Sequence, residues 1–496
     1  MFNLFFAFKN KNWLFFFFLI MAFSLLFDFS AFAADYEAQA EERKSIRVES
    51  NSYENWPLGP AIGAQAAILM DASTGAILYE KNIDEKLYPA SITKLLTTYI
   101  AVQKCDLNEM VTFSQEAINS INWWEDANMG VNAGASLPLS EVLYGILVGS
   151  ANEAAYAVAE HVSGSVEEFA RLMNETAREL GCTNSHFVTP NGIHDENHYT
   201  TARDMAIIAQ AFFSNDTLAK ISGTPRFEVP VGETQKREGI ILTAKSQLLP
   251  GKPYAYDGLV GSKTGYTDLA RQTLVSCASK EGMKLICVIL KEEAPAQFTD
   301  TIALFDYGFD HFDALNISEV DNQYTIDNSF FTTDIDILGS SKPIIELDKN
   351  GYIILPNTID FDEVSSKIFY SETSSDEIAF IHYYYQDIFL GKIPVRLAAA
   401  EPEPFDFGTQ NAHTDTSVKM EDEQAIFINV FQIFLIGTVA FFLFSGIHFF
   451  RYRKNPRRGL RHRKKKLQLF RRNRYWNINR YVTIQDTLCE NEIWVS

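Results

Sequence analysis

A serine and a lysine three residues apart are the first indication of chemistry in this chain. Ser91 and Lys94 stand in Ser91-Ile92-Thr93-Lys94, where a stretch with helical periodicity begins. Residues three apart share one face of a helix, so the two side chains meet within a single element. A serine hydroxyl is a weak nucleophile until a nearby base takes its proton, and a lysine serves as that base only when neutral. The pair predicts a nucleophilic serine at a helix start, where free N–H groups favour developing negative charge.

Two further short motifs supply groups that such a nucleophile needs. Ser150 and Asn152 stand two apart, and Lys263-Thr264-Gly265 lies on a stretch with strand character. The Ser150 hydroxyl can relay a proton from the lysine base, and the Asn152 amide can hold a substrate peptide group. Lys263 and the Thr264 hydroxyl suit a terminal carboxylate, and the charge on Lys263 would lower the pKa of the lysine base. Gly265 lets a substrate backbone approach the strand closely.

The three motifs are informative only in combination. Each one alone occurs by chance in most chains of this length, 496 residues. Here the spacings are 59 residues from Ser91 to Ser150 and 113 residues from Ser150 to Lys263. The serine begins a predicted helix, and the lysine–threonine–glycine triplet lies on a predicted strand. The order of the three motifs along the chain and their predicted secondary structure therefore both indicate a single site.

The elements that must position the motifs follow from apolar periodicity and turn residues. The predicted elements are a strand pair over 66–79, helices over 91–102, 139–147, 166–180 and 201–213, strands over 258–264, 272–279 and 283–290, and a closing helix over 296–312. This order predicts an α+β fold in which an antiparallel sheet packs with helices.

The composition of the sequence changes along the chain and indicates further segments. Residues 34–59 are polar and charged and are predicted to be a leader, and 60–312 form the catalytic domain. Short β-rich runs separated by turn residues predict a small all-β domain over 313–397. Residues 398–424 are polar and contain alanine, glutamate and proline, which is typical of a linker.

An apolar tract near the N-terminus indicates export. Lys9 and Lys11 precede a mainly apolar run without charged residues, Trp13–Phe27, and the small-x-small triplet Ala31-Phe32-Ala33 follows. This pattern predicts a signal peptide over 1–33, cleaved after Ala33. An uncleaved N-terminal anchor is the alternative, and it also exports the chain that follows.

A second apolar tract, 425–450, predicts a C-terminal transmembrane helix. Its 26 residues contain no Asp, Glu, Lys or Arg and are long enough to cross a bilayer. The tail that follows, 451–496, has 14 Lys and Arg against 3 Asp and Glu. The positive-inside rule places this tail in the cytoplasm and the catalytic domain outside the cell, with the basic tail on anionic membrane lipids.

Charge and composition exclude several classes of protein. The exported part, 34–424, has 27 Lys and Arg against 59 Asp and Glu, which argues against nucleic-acid binding. The chain is 47% hydrophobic and therefore not a disordered protein.

The five cysteines fit no metal site by their spacing. Cys277 and Cys287 flank a predicted hairpin turn at Lys280-Glu281-Gly282. They face each other if the turn centres on Gly282 and lie on opposite faces if it shifts by half a residue, so a disulfide stays open.

The ordered motifs resemble those of the D-alanyl-D-alanine carboxypeptidases, which are low-molecular-mass penicillin-binding proteins of the serine type. The resemblance covers about 60–312. It is supported by the stretches Tyr88-Pro89-Ala90-Ser91, Thr189-Pro190-Asn191-Gly192, Tyr199-Thr200-Thr201-Ala202 and Lys263-Thr264-Gly265-Tyr266-Thr267.

The resemblance implies a β-lactamase/transpeptidase-like catalytic domain that works without a metal or cofactor. It implies acyl transfer on peptidoglycan stem peptides in cell-wall biogenesis, with release of the terminal D-alanine, and binding of β-lactam antibiotics. It also implies an oxyanion hole formed by the backbone N–H groups of Ser91 and Tyr266. The implied site roles are acylated serine for Ser91, general base for Lys94, proton relay for Ser150, substrate contact for Asn152, carboxylate binding for Lys263 and Thr264, and substrate binding for Gly265 and Tyr266.

Three positions depart from the family's pattern. Ala151 replaces the usual glycine of the second motif, and Ala270-Arg271 stands where Ala-Gly is common. An arginine is common just before the closing helix, whereas Ala294–Thr301 has none. These departures bear on carboxylate recognition and leave open a reduced turnover, another preferred form of stem peptide, or an inactive wall-binding homologue.

Two other enzyme classes are alternatives. A serine β-lactamase shares the three motifs, but no Glu-x-x-Leu-Asn segment for deacylation lies between Ser150 and Lys263. A metal-dependent carboxypeptidase would use the cluster of His186, His194, Asp195 and His198. Proline, glycine and asparagine make that segment a loop without a helical glutamate base, so packing and hydrogen bonding are the favoured roles of its histidines.

Overall fold

The computed structural model of the protein describes residues 36–230, 239–321, 345–370 and 377–397. The predicted signal peptide, linker, membrane span and basic tail lie outside these residues. Among the helices of the described part, none is both long and apolar enough to cross a bilayer. The described residues all fall within one unit of the chain, Met1–Pro402.

A strand pair, a group of helices, three long strands, a closing helix and a second group of strands follow one another along the chain. The strands, numbered in chain order, are β1 Ala66–Asp71, β2 Ile77–Lys81, β3 Met110–Thr112, β4 Ser136–Pro138, β5 Arg226–Val229, β6 Ile240–Thr243, β7 Leu259–Thr267, β8 Arg271–Lys280, β9 Met283–Glu292, β10 Phe312–Asn316, β11 Ile345–Leu347, β12 Tyr352–Pro356, β13 Val364–Tyr370, β14 Glu377–Tyr385 and β15 Ile388–Leu397. The helices are α1 over 36–43, α2 Lys94–Lys104, α3 Gln115–Asn119, α4 Leu139–Leu147, α5 Asn152–Ser163, α6 Val166–Glu179, α7 Ala202–Phe213, α8 Asp216–Ser222, α9 Ala296–His311 and α10 Ile317–Val320.

A five-stranded antiparallel sheet forms the centre of the first domain. Its strand order is β2-β1-β9-β8-β7, so β7 is an edge strand and the first and last strands of the domain meet through β1 and β9. Alternate residues of the strands point into two different cores. One core lies between the sheet and the helices α2 and α4–α8, and the other includes α9 and residues of the second domain. The predicted α+β arrangement of an antiparallel sheet with helices is confirmed.

Local sequence explains where the helices begin. Ser165, Thr201 and Asn215 accept hydrogen bonds from the first-turn backbone N–H groups of α6, α7 and α8 respectively. Such side-chain acceptors satisfy N–H groups that have no partner within the helix. The apolar periodicity of the sequence does not predict α5, and the reason is the composition of this helix. Six of its twelve residues are alanine or valine, and most of the helix is buried, so it lacks the broad polar face that marks a helix in a sequence.

The second domain consists of two small antiparallel sheets. β10 pairs with β12, and β11, β15, β14 and β13 form a four-stranded sheet in that order. Ile353, Ile381 and Tyr383 are buried in the core that also contains Leu285 and Phe305 of the first domain. Two segments of the predicted all-β domain, 322–344 and 371–376, lie outside the described residues.

The predicted leader packs on the first domain. Arg43 is buried and its Nε donates to the Gly63 carbonyl at 2.7 Å, and Trp56 Nε1 donates to the Leu78 carbonyl at 3.0 Å. The segment looks polar because a few buried residues anchor it while the others face solvent. Residues 36–59 therefore form part of the first domain, and Val48 and Trp56 belong to its core.

The hairpin between β8 and β9 resolves the arrangement of two cysteines. Lys280 pairs with Met283, which makes a two-residue turn of Glu281 and Gly282, both at positive φ. In this register Cys277 belongs to one core and Cys287 to the other, and both are free thiols. The two side chains lie on opposite faces of the sheet.

Candidate active site

Ser91 lies on a rigid turn that is tied to the sheet. It belongs to a short 3-10 helix, Ala90–Thr93, which leads directly into α2. Ala90 has a φ of +51°, a strained value for a residue with a Cβ. The carbonyl of Pro89 accepts a hydrogen bond from Thr273 Oγ1 on β8 at 2.8 Å. The strained turn is thus held in place and presents the Ser91 side chain to a cleft.

The buried amine of Lys94 lies within hydrogen-bonding distance of three oxygen atoms. Its Nζ lies 2.8 Å from Ser91 Oγ, 2.6 Å from Asn152 Oδ1 and 2.8 Å from the Asn191 carbonyl oxygen. The last two oxygens have no hydrogen to donate. A neutral amine has two N–H bonds and one lone pair, so these two acceptors take both N–H bonds and the lone pair faces the Ser91 hydroxyl.

The surroundings of Lys94 favour that neutral form. Its side chain is fully buried, and burial is the main reason that its pKa lies well below the usual lysine value. The positive charges of Lys263 and Lys245 lower the pKa further. The carboxyl groups of Glu153 and Asp126 act in the opposite direction and do not overcome these effects.

Lys263 and Ser150 form a second contact beside the first. Lys263 Nζ lies 3.0 Å from Ser150 Oγ and 2.6 Å from the carbonyl oxygen of Thr264. Burial, followed by the charge on Lys245, lowers the pKa of Lys263 to about 7. Ser150, in the loop between α4 and α5, has a φ of +59°, a strained value for a residue with a Cβ, and its hydroxyl contacts Lys263 of β7.

The edge strand β7 forms one wall of the cleft and approaches the nucleophile closely. A Cβ at Gly265 would lie 2.8 Å from the Ser91 backbone nitrogen and 2.4 Å from Thr273 Oγ1. Only glycine allows this spacing between the strand and the turn. Tyr266 is 50% exposed, and its hydroxyl donates to Asp268 Oδ1 at 3.0 Å.

These side chains surround one cleft of about 330 Å³. The structure brings together all eight residues predicted from the sequence motifs, and Lys94 and Lys263 are buried beneath the floor of the cleft. The cleft is lined by Ser91, Glu125, Asp126, Ala127, Ser150, Asn152, Lys245, Gln247, Thr264, Gly265, Tyr266, Gln272, Gln297 and Phe298. The arrangement can activate a serine and hold an extended peptide along β7.

Comparisons with known proteins agree with this geometry. Residues 53–294 match the family model described as D-alanyl-D-alanine carboxypeptidase, Peptidase_S11. The D-alanyl-D-alanine carboxypeptidase DacC of Escherichia coli is 30% identical over 324 residues, which cover 62% of this chain and 72% of that protein. This chain belongs to the D-alanyl-D-alanine carboxypeptidase family.

Two other relatives extend the comparison. The D-alanyl-D-alanine carboxypeptidase DacF of Bacillus subtilis is 33% identical over 262 residues, which are 50% of this chain and 63% of that protein. The match therefore spans slightly less than two thirds of DacF. The crystal structure of penicillin binding protein 5 from Haemophilus influenzae has a TM-score of 0.53 and 26% identity, and covers 69% of this chain and 98% of its own. The transpeptidase-like fold predicted for the first domain is confirmed.

In this member of the D-alanyl-D-alanine carboxypeptidase family, Lys245 lines the cleft although no sequence motif predicts it. It lines the cleft from the loop after β6, and burial lowers its pKa. Glu125 and Asp126 line the cleft as well, from the loop before β4. None of the three belongs to a short motif, and only the fold brings them to the serine. A single charged residue in a long loop gives no signal of this in a sequence.

The Thr189-Pro190-Asn191-Gly192 loop holds the turn that carries the serine. Besides the Asn191 carbonyl on Lys94, the Pro190 carbonyl accepts a hydrogen bond from Thr97 Oγ1 at 2.6 Å. Gly192 packs so tightly that a Cβ there would lie 1.9 Å from the Ala90 carbonyl oxygen. The loop thus supplies one of the two acceptors that orient the lysine amine.

The histidines of the alternative metal site make hydrogen bonds and packing contacts in and around this loop. His198 Nδ1 accepts hydrogen bonds from the backbone N–H groups of Val188 and Thr189, so its Nε2–H donates to Thr93 Oγ1 at 2.9 Å. Burial lowers the pKa of His198 to about 4, which keeps the ring neutral. His194 packs edge-on against the ring of Tyr88. Both nitrogens of His198 are thus occupied by protein groups, which favours the packing role over a metal-ligand role.

Two of the departures from the family pattern lie close together. Arg271, at a φ of +53°, pairs with Glu293 at 2.6 Å and stacks on the ring of Tyr36. In the segment without an arginine, Gln297 reaches the cleft and its Nε2 donates to Gln272 Oε1 at 3.2 Å. This end of the cleft is therefore lined by two neutral amides.

Proposed function

We propose that this protein is a serine-type D-alanyl-D-alanine carboxypeptidase that removes the terminal D-alanine from peptidoglycan stem pentapeptides through an acyl-enzyme. The observation that carries the proposal is the environment of Lys94. Two acceptors without hydrogens take its N–H bonds, and its lone pair faces Ser91 Oγ at 2.8 Å. This is the arrangement that a lysine base needs in order to activate a serine.

In the acylation step, Lys94 takes the proton of Ser91 as Oγ attacks the carbonyl carbon of the penultimate D-alanine. The resemblance to the family supports backbone N–H groups of Ser91 and Tyr266 as donors to the oxyanion. Donors aimed at this oxygen stabilise the charge that develops in the transition state. The close approach of Gly265 to the Ser91 nitrogen sets the distance between the two donors.

The proton that Lys94 gains must reach the nitrogen of the departing D-alanine. Ser150 Oγ accepts a hydrogen bond from Lys263 Nζ, so the hydrogen of Ser150 remains available for the leaving amine. Transfer from Lys94 through Ser150 completes the exchange, and the C–N bond breaks. Water then attacks the ester, Lys94 again takes the proton, and Ser91 is regenerated when the proton returns to Oγ.

The terminal carboxylate is placed by the groups at the β7 side of the cleft. The hydroxyl of Thr264 donates a hydrogen bond, and Lys245 supplies a positive charge within the cleft. Lys263 is fully buried and its Nζ is already bonded to Ser150 and Thr264, so it acts chiefly through its charge. We assign direct carboxylate contact to Thr264 and Lys245.

Labelling with a fluorescent penicillin tests the acyl-enzyme. The full-length protein should form a covalent adduct, and Ser91→Ala should form none. Ser73→Ala, an exposed serine in the β1–β2 turn, is the matched control and should label like the wild type. A wild-type protein that folds and does not label contradicts the proposal.

Turnover of a peptide separates a carboxypeptidase from a protein that only binds penicillin. The wild type should shorten a stem pentapeptide ending in D-alanyl-D-alanine by one alanine, as read by mass spectrometry. Adduct formation without loss of alanine would support a wall-binding homologue that has lost turnover.

We also propose that the protein is exported and anchored by its C-terminal apolar segment, with the basic tail in the cytoplasm. The apolar tract over 425–450 and the 14 Lys and Arg of the tail support this orientation. A protease added to intact spheroplasts should digest the catalytic domain and spare an epitope fused after Ser496. Digestion of the epitope in intact cells would reverse the orientation.

A further inference from the structure

Away from the active-site cleft, three side chains of different chemistry converge. Cys105, Glu109 and His161 offer a thiol sulfur, a carboxylate oxygen and an imidazole nitrogen that all lie within 4.8 Å of one another. Glu109 Oε2 and His161 Nε2 are 3.1 Å apart. Cys105 and His161 are half-buried and Glu109 is exposed, so an ion can reach the cluster from solvent.

The backbone around the cluster favours a positive charge. Cys105 directly follows the last residue of α2, and His161 lies in the last turn of α5. The carbonyl ends of two helices therefore approach the same point, and each carries partial negative charge. This partial negative charge comes from the backbone and not from the three side chains, and it also favours the binding of a cation.

One oxygen of Glu109 is already oriented by the backbone. Its Oε1 accepts a hydrogen bond from the Asp106 N–H group at 2.7 Å, which turns Oε2 towards His161. A carboxylate that is fixed through one oxygen and presents the other is typical of a metal ligand with a supporting partner. The loop between α2 and β3 is thus shaped to hold this ligand.

The donor set favours zinc over the hard divalent cations. Sulfur, nitrogen and oxygen donors together suit zinc, whereas Mg²⁺ and Ca²⁺ prefer oxygen donors alone. Tetrahedral zinc with bonds of about 2.0–2.3 Å separates neighbouring donor atoms by about 3.3–3.6 Å. The 3.1 Å between Glu109 Oε2 and His161 Nε2 is close to this. The sulfur lies within 4.8 Å of both atoms, so each of its two distances must shorten by about 1.2 Å at most.

We propose that Cys105, Glu109 and His161 bind one zinc ion, with water as the fourth ligand. On binding, the thiol releases its proton to the solvent and the Glu109–His161 hydrogen bond is replaced by two bonds to the metal. The ion joins the end of α2 to the end of α5. Lys94 and Asn152 are the first residues of those two helices, so the ion fixes the far ends of the helices that carry the base and its acceptor.

Metal binding by the metal-free full-length protein tests the proposal directly. Titration with zinc should show a site that is lost in Cys105→Ser and weakened in His161→Ala and Glu109→Gln by more than the roughly 10- to 100-fold that loss of a supporting partner of a ligand costs. Cobalt in place of zinc should give a thiolate-to-cobalt charge-transfer band in the wild type and none in Cys105→Ser. Zinc should also raise the thermal midpoint of the wild type and leave that of Cys105→Ser unchanged.

Matched variants separate this site from other thiols and carboxylates. Cys182→Ala and Glu116→Gln remove a thiol and a carboxylate outside the cluster and should bind zinc like the wild type. Equal metal-free thermal midpoints of Cys105→Ser and wild type would show that folding is intact. A charge-transfer band that persists in Cys105→Ser, or a wild type without the Cys105-dependent site, overturns the proposal.

Discussion

Burial and hydrogen bonding together keep the Lys94 amine neutral and orient it as a base. A buried cation is expensive, and two neighbouring lysines make the charged form still less favourable. The acceptors Asn152 Oδ1 and Asn191 O then leave the neutral amine only one orientation, with its lone pair towards Ser91. The fold therefore prepares the base before substrate arrives.

Replacement of the base tests this directly. Lys94→Gln keeps a polar side chain of similar length but cannot take the serine proton. We expect acylation by penicillin to slow by about 10²- to 10⁴-fold, the usual contribution of a general base. The measurement is the second-order labelling rate, with the thermal midpoint as a check on folding. Labelling at the wild-type rate would remove Lys94 from the mechanism.

The pH dependence of acylation should depend on the charge of Lys245, which lies outside the three motifs. Lys94 is active when neutral, so the rate of acylation falls as the pH drops below its lowered pKa. Lys245 disfavours the protonated forms of Lys94 and Lys263. Lys245→Gln should therefore raise both pKa values and move the acid limb of the rate profile to higher pH. Weakened carboxylate binding alone would lower the whole profile without moving its midpoint.

A remote lysine is the control for that experiment. Lys220→Gln removes an exposed positive charge in the last turn of α8 and should leave the midpoint of the acid limb where it is. If both variants shift the midpoint equally, the effect comes from net charge. If neither variant shifts it, Lys245 does not influence the base.

At the scale of elements, the site depends on a loop that packs against the start of α2. Gly192 has a φ of +79° and leaves no room for a side chain, since a Cβ would lie 1.9 Å from the Ala90 carbonyl oxygen and 2.9 Å from Thr93 Oγ1. The preceding residue, Asn191, supplies an acceptor to Lys94. Displacement of this loop would therefore disturb the base as well as the fold.

Gly192→Ala and Gly181→Ala form a pair that isolates the packing. Gly181 also has a positive φ, +101°, but a Cβ there meets nothing within 4 Å. Both variants should lose about 1–2 kcal/mol in the free energy of unfolding from backbone strain. Gly192→Ala should lose about 1–3 kcal/mol more from overpacking and should label more slowly with penicillin. Chemical denaturation and labelling rates measure the two effects, and equal behaviour of the variants would contradict the packing argument.

The same elements show which parts of the site a sequence can predict. Ser91 and Lys94 are one helical turn apart, so local periodicity is enough to bring them together. Asn191 meets Lys94 across 97 residues, and Lys245 reaches the cleft from a separate loop, so only the tertiary fold creates these contacts. The cluster of Cys105 and His161 escapes notice for the same reason, because metal motifs are recognised from short spacings.

At the scale of the whole molecule, residues before the predicted domain start take part in the core. Trp56 is 7% exposed, donates to the Leu78 carbonyl on β2 and packs edge-on against Tyr53 and Phe312. Phe312 begins β10 and so opens the second domain. One indole therefore joins the segment before the sheet, the sheet itself and the start of the strands that follow α9.

Trp56→Ala should accordingly destabilise the entire described unit. Removal of a buried tryptophan costs about 3–5 kcal/mol, and the lost N–H donor also leaves the Leu78 carbonyl without that partner. Trp124→Ala is the matched control, because Trp124 is 96% exposed and its removal should change the free energy of unfolding by less than about 0.5 kcal/mol. Thermal and denaturant unfolding should show a single transition that moves down for Trp56→Ala alone. Two separate transitions in that variant would mean that the indole holds only the second domain in place. Penicillin labelling well below the transition should be the same in both variants, since neither ring touches the machinery around Ser91.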